Sequence, residues 1–332
     1  MADAPADTAE KLPEEKKSFL AKLGAAIPVA LTAIATILAG MSTGALSQSM
    51  YWRSAAAQDQ SKATNQWSLA GFKRDRSMMM QLEAATLASL SAHSKLPDFS
   101  AVKPPPPKEP KKGDAPKTPE EAAAESKAAE EAYARGKEWL AGKGPPRVDP
   151  PKIEDGHLDN LLKAIREREP DAELLRKAGL VKHATIDKAV DDAEKFTEQT
   201  DREWDPAVKA ATAISDIPPK VPSDSGEYAA KAREATAAQA ALFRMEQRRY
   251  RTESVLNQGI GYLYDARVKV STAESDRHRK RSQSFFVAML VAQIGSVIAS
   301  LGMNKKKGSL SAIALLAGMV AIGFGAYVFL TM

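Results

Sequence analysis

The chain has 332 residues, of which 44% are hydrophobic and 27% are charged, and its formal net charge is only +5. The absence of cysteine excludes disulfide bonds, cysteine-ligated zinc, iron–sulfur ligation and thiol catalysis. Because acidic and basic residues are interspersed along the chain, the charge pattern gives no support to a nucleic-acid partner.

Three charge-free stretches predict transmembrane helices. They cover residues 25–46, 285–303 and 310–332, and each is long enough to cross a hydrocarbon layer of about 30 Å at about 1.5 Å per residue. Backbone amides inside lipid need internal partners, so all three should be helical. A charged tail, 1–24, precedes the first stretch, and a basic turn, 304–309, joins the last two into a hairpin. The sequence therefore predicts an all-α, multi-pass membrane protein.

Basic side chains flank these stretches and bear on the orientation in the membrane. The predicted membrane-surface anchors are Arg277, Arg279, Lys280, Arg281, Lys305, Lys306 and Lys307. With three spans, the four basic residues at 277–281 lie on one side of the membrane and the three lysines at 305–307 lie on the other. Positive charge favours the cytoplasmic side. The lysines before the first span add to those of the turn, so we favour a cytoplasmic N-terminus. In a bacterial inner membrane, residues 47–284 would then be periplasmic.

Two long helix-favouring segments next to the membrane predict an antiparallel helical stalk. The first, 47–97, continues from the first span, and the second, 223–284, leads into the second span. The second carries a coiled-coil register with a seven-residue repeat, formed by Leu242, Leu256, Leu263 and Val270. On the first, small residues are expected to allow close approach of the helix axes: Ala55 to Ala57, Ala63 and Ala70. Trp67 is the predicted anchor, and further bulk is expected from Phe72, Met79 and Leu82.

A proline-linked helical insert, 119–216, is predicted between the stalk helices. The linkers at 98–118 and 217–222 are rich in proline and predict extended spacers. The insert begins with a capping-box pattern, Thr118-Pro119-Glu120-Glu121. Its apolar side chains recur at helical spacing and predict short helices, the last ending near Glu203.

Small residues spaced four apart in the spans predict close helix contacts, within the chain or between copies. These residues are Gly40, Gly44, Gly295, Ala299, Ala314 and Gly318. Gln293 is the predicted polar intramembrane contact, with Thr32, Thr36 and Ser296 as further polar groups near the bilayer centre. Their expected role is hydrogen bonding between helices, and the alternative is the lining of a pore.

The sequence offers no pattern of a catalytic, cofactor or metal site. The four histidines stand in no ligand spacing. Gly142-Lys143-Gly144 lacks the first glycine and the final Ser or Thr of a phosphate-binding loop, and two prolines follow it. We therefore expect no enzyme activity and no cofactor.

The chain resembles a family of bacterial membrane proteins grouped as the domain of unknown function "four-three-three-seven". The resemblance is carried by Ala56-Ala57-Gln58-Asp59-Gln60, Asn65-Gln66-Trp67 and Lys73 after the first span, and by the charged, His-containing entry to a C-terminal hairpin at 276–330. It covers residues 25–95 and 240–330. Asn65 replaces the family's Asp, Leu69-Ala70-Gly71-Phe72 stands where the family favours Tyr and Gln, and the insert is longer. The resemblance implies this architecture in a bacterial inner membrane and implies no reaction.

These observations lead to competing functional hypotheses. The first is a membrane-anchored, self-associating helical scaffold or adaptor that presents its insert to an unidentified protein partner. The alternative is a small homo-oligomeric channel, or a transport-accessory subunit, lined by Gln293, Thr32 or Thr36. A third hypothesis places an enzyme or regulator in residues 151–205.

Overall fold

The structure, a computed structural model, describes residues 14–91, 95–99, 102–104, 118–216, 225–304 and 308–331. Its helices are α1 (Glu14–Leu90), α2 (Pro119–Glu138), α3 (Gly156–Glu167), α4 (Asp171–Ala178), α5 (His183–Ser215), α6 (Tyr228–Asn304) and α7 (Gly308–Thr331), and a π-helical turn, Trp139–Lys143, follows α2. No strand occurs in these ranges, so the all-α prediction is confirmed.

The chain divides into two compact units. The terminal unit comprises the chain up to Ala57 and from Ser271 onward, and the central unit is Gln58–Val270. Helices α1 and α6 contribute to both units, whereas α2 to α5 belong to the central one and α7 to the terminal one.

Within each unit α1 and α6 pack antiparallel through small residues. In the terminal unit Ser42 and Ser282 each donate a hydrogen bond to the other's carbonyl oxygen, at 3.0 and 2.9 Å. Seven residues along α1 and seven back along α6, the Ser275 hydroxyl donates to the Ser49 carbonyl oxygen at 2.9 Å. This exchange of side-chain and backbone bonds requires close helix axes, which small side chains permit.

The same repeat pairs α1 with α6 in the central unit. Ser254 donates to the Ala70 carbonyl oxygen at 2.8 Å, and Ser77 donates to the Gln247 carbonyl oxygen at 3.0 Å. Ala63 and Ala84, which lie seven residues before Ala70 and after Ser77, are also buried. The predicted antiparallel stalk is therefore confirmed, and its contact surface on α1 is a line of Ala and Ser at every seventh position.

The bulky residues predicted for this contact surface do not lie there. Phe72, Met79 and Leu82 are exposed, at 59%, 56% and 70%. They were expected to fill the helix interface. The small residues at every seventh position of α1 occupy that interface instead, so Phe72, Met79 and Leu82 lie on the opposite face of the helix. The prediction for α6 holds, since Leu242, Leu256, Leu263 and Val270 are all buried.

The insert folds as helices that pack on one another and on α6. The capping box forms as expected: the Glu121 amide donates to the Thr118 hydroxyl at 3.2 Å, and the Thr118 amide donates to the Glu121 carboxylate at 2.9 Å. The predicted end near Glu203 is wrong, because α5 continues through Pro206 to Ser215. The buried Trp204, Ala207, Ala210 and Ala211 pack against neighbouring helices and offset the hydrogen bond that proline cannot donate.

In the first predicted stalk segment, 47–97, the helix ends at Leu90. Most of the linker at 98–118, the whole of 217–222, the start of the N-terminal tail and Lys305, Lys306 and Lys307 lie outside the described residues.

Candidate functional site

Three helices are long and apolar enough to cross a membrane, and they are α1, α6 and α7. In the terminal unit their facing sides pack through Leu31, Ala299 and Ala314, and through a second cluster that includes Phe285, Ala292 and Ala321. Their outward sides expose large apolar residues such as Val29, Ile37, Ile294, Val297 and Leu316. An apolar exterior around a packed interior is the arrangement that lipid stabilises, and this protein is accordingly a membrane protein.

Four of the six predicted packing residues lie at helix contacts in the terminal unit. Ala299 and Ala314 are fully buried. A Cβ added at Gly295 would lie 3.1 Å from the Ala317 Cβ, and one at Gly318 would lie 2.5 Å from a methyl carbon of Leu31. A Cβ added at Gly40 or Gly44 would meet no atom within 4 Å. A side chain at either α1 glycine would therefore meet no atom of the residues that the structure describes, and the close contact predicted for this pair, within the chain or between copies, stays a prediction.

The polar groups predicted near the bilayer centre separate into two classes. Thr32 and Ser296 meet within the terminal unit, with their hydroxyl oxygens 3.1 Å apart, and Ser296 also donates to the Pro28 carbonyl oxygen at 3.1 Å. Thr36 donates to the backbone carbonyl oxygen of Thr32 at 2.9 Å. Gln293 instead lies on the exposed side of α6. A pore lined by Gln293 would therefore have to form between copies of the chain.

The basic residues before the second span differ in their surroundings: some are exposed, and one stacks on aromatic rings. Arg279 and Lys280 are exposed. The Arg281 guanidinium lies over the rings of Phe285 and Phe329, 5.7 and 5.4 Å from their centroids. Such stacking stabilises a cation at the edge of an apolar surface.

In the central unit a buried ionic cluster links α1, α5 and α6. Asp59 is only 4% exposed, and the Arg267 guanidinium nitrogen lies 3.3 Å from its carboxylate and 3.2 Å from that of Asp187. Burial raises the pKa of the Asp59 carboxyl, and the positive charge of Arg267 opposes that rise. Beside it the Tyr264 hydroxyl donates to Glu194 at 2.8 Å, and burial raises the pKa of this tyrosine.

A second ionic cluster lies farther along the same helices. Glu253, also buried, contacts Lys73 and lies 2.9 Å from the Arg249 guanidinium nitrogen. Burial raises the pKa of Asp201 on α5, and the negative charge of Glu253 raises it further. A cavity of about 450 Å³ adjoins these side chains. Among the described residues no group of three His, Asp or Glu side chains is arranged to hold a metal ion.

Three polar residues of the resemblance motif take part in contacts between α1 and α6. Asp59 and Lys73 belong to the two clusters, and between them Trp67 donates from its indole nitrogen to Asp265 at 3.0 Å. The Trp67 ring packs edge-on against Tyr262, with centroids 4.7 Å apart. A Cβ added at Gly261 would lie 3.1 Å from this indole, so glycine permits its close approach. Trp67 therefore contacts α6 through both its indole nitrogen and its ring, and its role as the stalk anchor stays a prediction. The ion pairs around it were not predicted from the sequence.

Opposite the α6 contact, the central part of α1 carries what we call the apolar stripe: Leu69, Phe72, Met79, Leu82 and Leu90. Each is between 46% and 70% exposed. Single exposed apolar residues are common on protein surfaces, whereas a row of large ones along one helix face indicates a contact surface. In this row the exposed Asp75 and Arg76 stand between Phe72 and Met79. The sequence contained this signal as a helical repeat of large residues, but the stripe could be separated from the stalk interface only once the α6-facing side was known.

Comparison of the chain with protein-family models, with curated proteins and with solved structures finds no match. The resemblance to the family "four-three-three-seven" therefore stays a prediction from the motif residues.

Proposed function

We propose that the protein is a membrane-anchored, self-associating helical scaffold or adaptor. The observation that carries the proposal is the apolar stripe, which lies outside the membrane-spanning segments on the face of α1 opposite α6. Water is an unfavourable environment for such a stripe, and a second copy of the chain would cover it.

Charge complementarity favours a second copy as the occupant. Arg76 and Glu83 are exposed on α1, seven residues apart and at one edge of the stripe, where the Arg76 guanidinium also lies 5.7 Å from the centroid of the Tyr250 ring of α6. An antiparallel copy that crosses between Met79 and Met80 places Arg76 of each chain against Glu83 of the other. The arrangement is isologous, as most homodimer interfaces are.

The terminal unit supplies a second reason to expect self-association. Gln293 is exposed on an otherwise apolar surface, and a primary amide in hydrocarbon is stabilised by a hydrogen bond to another helix. Gly40 and Gly44 are also exposed, and a Cβ added at either would meet no atom of the described residues within 4 Å. Two such features on lipid-facing helices fit contact between copies.

The wider setting of the scaffold follows from the sequence. We place it in a bacterial inner membrane, with residues 47–284 in the periplasm, and with the helices of 119–216 presented to a protein partner. The absence of any catalytic constellation in the sequence supports a scaffold over an enzyme.

The test is the mass of the full-length chain in an uncharged detergent, with and without a charge in the stripe. Wild type should form a dimer or higher oligomer, and Phe72→Glu should shift it towards monomer by tenfold or more, since an aromatic contact is lost and a carboxylate is placed among apolar side chains. Ser61→Glu is the matched control, because it places the same charge on the same face of α1, eleven residues from Phe72. A wild-type monomer, or equal behaviour of the two variants, would contradict the proposal.

A further inference from the structure

A cationic pocket lies between α6 and the loop that follows the π-helical turn, all within the central unit. Its volume is about 450 Å³, which lies within the range of small-molecule sites. Four cationic side chains line it, Lys143 and Arg147 from the loop side and Arg248 and Arg251 from α6, and no carboxylate is part of the lining. Four positive charges around one cavity favour an anion of more than one charge.

The four cationic side chains differ in the ion pairs and hydrogen bonds that they already make. Lys143 and Arg147 pair with Glu138 and Asp149, but both pairs are exposed and therefore weak. The Arg248 guanidinium donates to the Gly142 carbonyl oxygen at 2.7 Å and so holds the loop against α6. Arg251 is exposed and has no hydrogen bond or ion pair with the part of the chain that the structure describes. Its planar guanidinium is free to bind an oxyanion through two parallel hydrogen bonds.

The backbone of the loop is built to bring these groups together. Gly142 and Gly144 have φ values of 102° and 58°, which favour glycine. A Cβ added at Gly144 would lie 2.6 Å from an Arg248 guanidinium nitrogen, so glycine lets the arginine lie across the backbone. Pro145 and Pro146 follow directly and fix the exit of the chain.

The remaining wall of the pocket is apolar. Pro145, Pro146, Val148 and Val255 contribute it, beside the buried Thr252. A free inorganic ion would leave this surface in contact with water, whereas an organic anion would cover it.

We propose that this pocket binds a phosphate monoester attached to an apolar body. Arg251 and Arg248 contact the phosphate oxygens, and the proline and valine side chains contact the body. Two sources share this chemistry, a soluble organic phosphate and a lipid with a terminal phosphate.

The test is calorimetric titration of the full-length chain in an uncharged detergent with two probes, phenyl phosphate and dihexanoyl phosphatidic acid. Binding of either supports the pocket, and the tighter of the two identifies the source. Phenol and inorganic phosphate, which each carry half of the recognised chemistry, should bind at least tenfold more weakly.

Two variants and a matched control locate the binding. Arg251→Gln should weaken it tenfold or more, because charge-assisted hydrogen bonds are lost. Val255→Phe should weaken it by filling the cavity while the charge stays constant. Arg244→Gln removes an exposed arginine of α6 that does not line the pocket and should change affinity less than about twofold. The proposal would be overturned if neither probe bound, or if Arg251→Gln and Arg244→Gln lost equal affinity.

Discussion

Replacing Arg267 by leucine is expected to lower the free energy of unfolding of the central unit by about 3–5 kcal/mol near neutral pH. The substitution removes the cation that faces the buried Asp59 carboxylate at 3.3 Å and leaves that carboxylate with only the weaker influence of Lys62 and His183. Asp187, the other carboxylate at Arg267, keeps 48% of its side chain exposed, although the oxygen that faces Arg267 is buried, so more of the loss comes from Asp59. The measurement is thermal or urea unfolding of the full-length chain in an uncharged detergent, with backbone hydrogen exchange in α5 as the local readout.

The pH dependence of this variant follows from the direction of the Asp59 pKa. Burial raises that pKa, and Arg267 lowers it, so the leucine variant has a still higher folded-state pKa. An acid with a higher pKa in the folded state binds more protons there, and stability then falls as the pH rises between the unfolded and folded values. The deficit of Arg267→Leu should therefore be largest near neutral pH and shrink as the pH falls towards the unfolded pKa of about 4.

Two further variants distinguish the cost of burying an unpaired charge from the cost of losing an arginine. Arg202→Leu breaks an exposed pair with Glu198 and should cost less than about 1 kcal/mol. Asp59→Leu combined with Arg267→Leu removes both buried charges and should recover most of the stability. A deficit in Arg267→Leu no larger than in Arg202→Leu, or one that does not depend on pH, would contradict the role assigned to the cluster.

The second large effect is expected for Trp204→Ala, at about 3–5 kcal/mol. Trp204 is 5% exposed and meets Trp139 edge-on, with ring centroids 6.2 Å apart. Their cluster includes Leu140, Leu242 and Met245, so it joins the π-helical turn, α5 and α6. Removal of the indole leaves a cavity that helices on several sides cannot close.

Hydrogen exchange gives the local readout for this prediction. Protection of the α2 and α5 amides should fall in Trp204→Ala, since α5 would lose its largest buried contact. Leu180→Ala, at a residue that is 55% exposed, is the control and should cost less than about 1 kcal/mol. If the two variants lose equal stability, Trp204 does not hold the insert to α6.

Much of the fold could be predicted from local patterns along the chain. The charge-free runs indicated the membrane helices because lipid tolerates only apolar, internally bonded segments. The capping box at Thr118 and the leucine register at Leu242, Leu256 and Leu263 also act within one helix, so they required no knowledge of a partner.

What sequence reasoning missed depends on which side of α1 faces α6. Ala70 and Phe72 were both expected at the interface, Ala70 to allow close approach of the helix axes and Phe72 to supply bulk. The interface includes Ala70 but excludes Phe72, and it uses Ser42, Ser49 and Ser77, because serine hydroxyls reach the backbone of α6 only when the axes are close. The pairing of Asp59 with Arg267, over 200 residues apart, could not be read from either segment alone.

Continuation of α5 past Pro206 has a similar cause. Local propensity ends a helix near an internal proline, at a cost of about 3 kcal/mol. That local cost is outweighed by burial of four side chains around the proline, which the local sequence pattern does not reveal. They are Trp204, Ala207, Ala210 and Ala211.

The charge-free segments of α1, α6 and α7 are expected to lie in lipid, and fractionation of cells that express the full-length chain tests this most directly. After an alkaline carbonate wash, which strips proteins held only at the membrane surface, we expect the chain to float with the lipid fraction and to be released only by detergent. Recovery of the chain in the aqueous fraction as a monodisperse species without detergent would contradict the account.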